Sequence, residues 1–216
     1  YLVDEYDILF YVSPEGVEIE DNGVRETDAK YRMAIDKTIK SIVEMYRKDA
    51  ITINGTVEER IEQVKKAVAQ QEYIKCAKDP VYFMKKYCMI QHPTRGRIKF
   101  NLFPFQEGTL KLLQKNERSI ILKSRQLGIS TLSAGMALWQ MIFQKDTNVL
   151  VIATKQDTAK NLVTKVKFMY ENLPSWLKLG FEENNKLALR LKNGSQVKAV
   201  SAASDAGRSE AVSLLI

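Results

Sequence analysis

The sequence predicts an α/β protein: a parallel sheet packed with helices, preceded by a mainly helical N-terminal region. Two short continuous apolar runs, residues 119–123 (SIILK) and 148–153 (NVLVIA), are each followed by polar or glycine-containing residues. A helical pattern then follows each run, over 131–143 and 158–173. Strands covered by helices on both faces read as unbroken apolar runs, and a β-α-β-α order supplies those helices. Before residue 90 the apolar spacing is instead close to 3.6 over two long segments, which is helical.

Taken in order, residues 6–19 read as strand, Ser13-Pro14-Glu15-Gly16 turn and strand, because DILFYV is rich in strand formers and Pro and Gly supply turn geometry. Residues 28–47 place Tyr31, Ile35, Ile39, Ile42, Val43 and Tyr46 on one helical stripe. A second helix is expected over 56–77, opened by Thr56-Val57-Glu58-Glu59 as a capping box and separated from the first by an Ile53-Asn54-Gly55 turn. Lys78-Asp79-Pro80 ends it, and a short third helix carries Tyr82, Phe83 and Tyr87. After the β-α-β-α core, 187–191 and 196–200 form a hairpin about Asn193-Gly194, and 213–216 begin another core strand.

Charge separates the N-terminal flank from the rest. Residues 1–30 hold nine acidic and two basic side chains, a net of −7, so with +7 over the whole chain the remainder carries +14. A basic body fits a polyphosphate partner, nucleotide or nucleic acid, although a solvated lysine-rich surface accounts for any single patch. No apolar run approaches the ~20 residues of a membrane-spanning helix. Two cysteines, Cys76 and Cys88, without a secretory leader, fit a reducing compartment and the cytoplasm; twelve apart and without a second pair, they read as buried thiols rather than a zinc site. Tyr1 in place of Met and the unfinished look of 213–216 suggest a fragment.

Directly after SIILK come Lys123-Ser124-Arg125-Gln126-Leu127-Gly128-Ile129-Ser130-Thr131, with a helix starting at the end. A phosphate-binding loop needs a tight strand-to-helix turn with inward N–H groups, a helix N-terminus, a hydroxyl for Mg²⁺ and a lysine for the phosphates. Gly128 permits close backbone approach and Ser130 offers the hydroxyl. The usual G-x-x-x-x-G-K-[ST] spacing is broken twice, with Lys123 at its first Gly and Ile129 at its Lys. An ordinary strand-loop-helix junction with exposed Lys and Arg fits the same residues.

The flanking segments sharpen the reading. Phe103-Pro104-Phe105-Gln106 precedes a helix about 20 residues before the loop, and resembles the adenine-recognition Gln motif of phage terminases and helicase-like motors; taken alone, Gln106 fits a polar helix start. Cys76-Ala77-Lys78-Asp79-Pro80-Val81-Tyr82-Phe83, Ile98-Lys99-Phe100, Asn193-Gly194-Ser195 and 201–208 (SAASDAGR) resemble further segments of the same family. Over residues 75–216 the chain resembles the N-terminal part of the ATPase motor of the tailed-bacteriophage terminase large subunit.

That resemblance implies a P-loop NTPase core of RecA/ASCE type over 75–216, incomplete before the Walker B carboxylates, behind an N-terminal appendage over 1–74. It implies a DNA-packaging ATPase of the host cytoplasm using ATP and Mg²⁺. Its partners would be double-stranded DNA, the portal, a small terminase subunit and further copies in a ring. The family often carries its loop lysine at the start of the motif, which assigns the phosphate cation to Lys123, with Arg125 as a second. It assigns ATP contacts to Gln106 and to Lys123, Ser124, Arg125, Gln126, Leu127, Gly128, Ile129, Ser130 and Thr131, and Mg²⁺ to Ser130. Arg208 resembles an arginine acting on a neighbouring subunit, and an exposed loop arginine is the plain alternative. Without the carboxylates, the fragment is expected to bind nucleotide and turn it over poorly. Lys155, Lys160, Lys165 and Lys167 lie where related motors touch DNA, or form a solvated face. His92 is given no role. A superfamily 2 helicase would keep the lysine that Ile129 replaces, and a non-catalytic assembly module would use the loop only structurally.

Overall fold

A computed structural model of the chain describes residues 6–15, 23, 27–202 and 211–216. It divides into two compact units, Tyr1–Glu72 and Tyr73–Ile216.

In the first unit, strand β1 (Phe10–Val12) pairs in parallel with β2 (Ile51–Ile53). The second strand of the expected 6–19 hairpin falls on 17–19, outside the described residues. Helix α1 (Ala29–Tyr46) is capped by Asp28, whose carboxylate accepts from Lys30 N at 2.9 Å. It buries no residue completely, and Tyr31, Ile35, Ile39 and Ile42 remain exposed. Helix α2 (Val57–Lys78) opens with the capping box read from the sequence: Thr56 N donates to Glu59 Oε2 at 2.8 Å, and Glu59 N to Thr56 Oγ1 at 3.3 Å.

The second unit takes the end of α2, from Tyr73, and continues into α3 (Pro80–Tyr87), where Asp79 caps and Pro80 fills the first turn. An antiparallel hairpin unanticipated from the sequence follows, β3 (Met89–His92) and β4 (Gly96–Lys99). His92 closes its turn, Nδ1 accepting from Thr94 N and Arg95 N at 3.2 Å each. Next come α4 (Pro104–Lys115), α5 (Ile129–Phe143), β5 (Asn148–Ala153) and α6 (Gln156–Glu171). Three strands of the main sheet follow: β6 (Phe181–Asn184), β7 (Ala188–Leu191) and β8 (Gln196–Ser201). A two-residue strand, β9 (Leu214–Leu215), ends the chain.

The main sheet runs β6-β7-β8-β5-β9, with β5 parallel to both β8 and β9 and the β6-β7-β8 meander antiparallel. The β7-β8 hairpin about Asn193-Gly194 and the terminal strand are as the sequence predicts. Asn193 and Ser195 also serve the end of α5: Asn193 Nδ2 donates to Met141 O at 2.8 Å, and Ser195 Oγ to Gln144 O at 3.0 Å. The turn thereby satisfies carbonyls that a helix C-terminus leaves open.

Residues 119–123 correct the sequence reading. The segment is not a strand; it pairs with nothing in the sheet, and Ile120 and Leu122 are fully exposed. Apolar, branched side chains favour an extended backbone, but a strand exists only where a neighbour's N–H and C=O groups meet its own, and no described strand pairs with it.

Helix α5 (ISTLSAGMALWQMIF) is apolar nearly all round and correspondingly buried, with Leu132, Leu138 and Met141 fully inaccessible. It packs against α6 and against α3 and α4. Gly135 permits the α3 approach: a Cβ there would lie 2.8 Å from Met84 Sδ. Trp139 Nε1 donates to Cys76 O at 2.8 Å inside the core. Cys76 and Cys88 are fully buried thiols, and burial pushes the Cys88 pKa far up. No helix among the described residues is long and apolar enough to cross a membrane.

Candidate phosphate-binding loop and its supports

The loop from Lys123 to Gly128 turns directly into α5. Gly128, at the helix N-cap, has φ +72 and ψ 8, left-handed backbone that costs a side-chain-bearing residue energy. Gln126 also has positive φ, 66. Gly128 O accepts from Thr131 N and Leu132 N at 3.0 Å each, closing the first turn. The earlier amides of the helix have no intrahelical acceptor, and the helix dipole adds positive potential at this end.

Gln106, on the first turn of α4, supports the loop from beneath. It is 3% exposed. Its Oε1 accepts from Phe103 N at 3.0 Å and its Nε2 donates to Leu127 O at 3.0 Å. A Cβ on Gly128 would stand 2.8 Å from that Nε2, so the glycine is required by the amide as well as by φ. Each end of the amide keeps one further hydrogen-bonding capacity. Phe103 and Phe105 flank Gln106 as an exposed stacked pair, centroids 5.8 Å apart and planes 7° from parallel.

Lys123, Ser124, Arg125, Gln126 and Leu127 are exposed. Lys123 is folded back onto its own loop, its Nζ donating to Ser124 O at 3.2 Å. Ile129 is almost buried, its side chain in the core. Ser130 is exposed and lines a cavity of about 210 Å³ with Ile152, Thr158, Asn161, Lys165 and Ile216. Arg208 lies outside the described residues.

The lysines of α6 are not one solvated face. Lys155 is exposed just before the helix, whereas Lys167 donates to Asn185 O. Lys165 Nζ donates to Thr131 Oγ1 at 3.1 Å, and burial lowers its pKa from the usual lysine value. This contact escaped the sequence reading. Its signal was present: Lys165 sits three residues after Leu162 and four before Met169, at the edge of the buried stripe of α6.

Residues 120–213 match the family described as "Terminase large subunit, T4likevirus-type, N-terminal". Among solved structures, the chain resembles the large terminase of bacteriophage HK97 with a TM-score of 0.52 and 19% identity, over 64% of this chain and 30% of that one. The chain therefore spans about a third of that terminase's length, and at this identity the likeness is one of fold.

Proposed function

We propose, on the premise that residues 120–213 belong to the N-terminal family of T4-like terminase large subunits, that this chain is the nucleotide-binding part of a phage DNA-packaging ATPase. The sheet and helices over 73–216 are then a P-loop core of RecA/ASCE type. The observation that carries the reading is Gly128, held left-handed against the Gln106 amide at the mouth of α5, a cradle that a single Cβ would fill.

The residues present fit a Mg²⁺–ATP complex. Backbone amides at the start of α5 and the Lys123 ammonium would face the phosphates, with Arg125 as a second cation. The exposed Ser130 hydroxyl would hold the metal. Bound there, Mg²⁺ would offset phosphate charge. Gln106 can meet a purine edge with the hydrogen and lone pair its backbone contacts leave over, and the Phe103 and Phe105 rings offer it an apolar face. The assembly is a homo-oligomeric ring on the portal in the host cytoplasm, supplied with double-stranded DNA by a small terminase subunit.

A Mg²⁺–ATP-dependent rise in Tm tests the reading, since a ligand that binds only the folded state stabilises it by mass action. No shift at millimolar nucleotide would overturn it.

A further inference from the structure

We infer that Lys165 is a phosphate-contacting residue of the nucleotide site, an ammonium delivered from α6 that takes over part of the role Ile129 cannot perform; this rests on the nucleotide-binding reading above. Three observations lead there. Lys165 Nζ meets Thr131 Oγ1 at 3.1 Å, on the first turn of the helix that opens at Gly128. Lys165 and Ser130 line the same cavity. And although the side chain is half-buried, no carboxylate lies within ion-pair distance of it among the described residues, where its hydrogen bond is to a neutral hydroxyl.

A half-buried ammonium is costly without a counter-charge, and a hydroxyl offsets only part of its lost hydration. Lysines that serve only the surface lie outside a buried stripe, or reach past it to water. Lys165 instead borders the stripe beside Leu162 and Met169, and its Nζ ends on a hydroxyl of the phosphate-loop helix. An anion at the start of α5 is the partner that such a placement lacks. The side chain supplies charge from one side of the loop while Lys123 supplies it from the other, so the missing lysine at Ile129 is replaced by two flanking cations.

Binding of Mg²⁺–ATP, ADP and adenosine to the protein, to Lys165→Met and Lys165→Arg, and to the exposed control Lys186→Met, tests this. Lys165→Met should weaken ATP binding about ten- to a hundredfold, the effect of losing one charge-assisted contact. Adenosine binding should be unchanged, Lys165→Arg should restore much of the loss, and Lys186→Met should match wild type. The Tm of nucleotide-free Lys165→Met should stay level or rise, because a poorly paired buried cation is removed; a merely structural lysine would give a fall. Without any variant, Mg²⁺–ATP but not adenosine should protect Lys165 from amine acylation, read by peptide mass spectrometry. Normal ATP affinity in Lys165→Met, or equal loss for ATP and adenosine, or no protection, would overturn the role of Lys165 while leaving nucleotide binding standing. Wild type that binds no nucleotide would remove both.

Discussion

Gln106 and Leu127 are joined side chain to backbone, the buried amide Nε2 donating to the Leu127 carbonyl at 3.0 Å and fixing the loop one residue before Gly128. Because the same nitrogen would stand 2.8 Å from a Cβ at Gly128, the two positions should be energetically coupled. Gln106→Ala leaves the Phe103 N–H and the Leu127 carbonyl without this partner, at a cost of about 1–3 kcal/mol. Gly128→Ala adds left-handed strain of about 1 kcal/mol or more to the clash. In the double variant the clash is gone, so the losses should sum to less than the singles by at least about 0.5 kcal/mol. Denaturant unfolding of the four proteins measures this, and simple additivity would show that the amide and the glycine do not constrain one another.

Much of this arrangement was legible in the sequence where periodicity and local chemistry agreed. Helix α5, strand β5, the Asn-Gly hairpin and the Thr56–Glu59 capping box each carry their signal in adjacent residues. What was not legible depends on partners distant in sequence. SIILK has strand composition but no neighbour to pair with, so composition alone misplaced it. His92 reads as an idle loop residue until the backbone turns Thr94 and Arg95 toward its ring. Lys165 reads, with Lys155, Lys160 and Lys167, as a DNA contact or a solvated face, although its place at the edge of the apolar stripe marks it out. For Gln106 the sequence offers an adenine-reading amide or a polar helix start, and only the fold brings Leu127 within reach of it.

Lys123 should supply phosphate affinity through its ammonium. The side chain already turns back over the loop, its Nζ on Ser124 O, and it is exposed, so its loss should cost little stability. Lys123→Ala is expected to weaken Mg²⁺–ATP binding about ten- to a hundredfold, with Lys186→Ala as the unaffected control. Titration with a fluorescent ATP analogue checks it; equal affinity in Lys123→Ala would transfer the role to Arg125.

The N-terminal unit should lose stability in alkali through Tyr11. Its phenol, buried and donating to the Asp36 carboxylate, has its pKa pushed up from 10.0 to about 12, by burial first and then by Asp36. The folded state therefore holds the proton that the unfolded chain gives up near pH 10. The stabilisation is complete below pH 10 and is lost as pH rises toward 12. In Tyr11→Phe that step should vanish, so the difference in unfolding free energy between wild type and variant should shrink across this window. Parallel curves from pH 9 to 12 would show that the Tyr11–Asp36 contact is not formed in solution.

In a terminase subunit that carries the Walker B carboxylates as well as these residues, Arg208 should act on the site of a neighbouring subunit. It lies outside the described residues, so its sequence setting alone supports this: Gly207 frees the backbone beside it, and SAASDAGR resembles the family segment ahead of Walker B. An arginine that stabilises transition-state charge is worth about 10³ or more in kcat, whereas a surface arginine is worth almost nothing. An Arg208→Ala subunit keeps its own Lys123 loop, and a Lys123→Ala subunit keeps its arginine. If the arginine crosses the subunit boundary, each variant should be inactive alone, and the two mixed on the portal should regain part of the DNA-stimulated ATPase activity, because some interfaces then pair an intact loop with an intact arginine. An arginine acting within its own subunit gives no such recovery at any mixing ratio, because no subunit then holds both groups. Normal turnover by Arg208→Ala alone would remove it from the chemistry altogether.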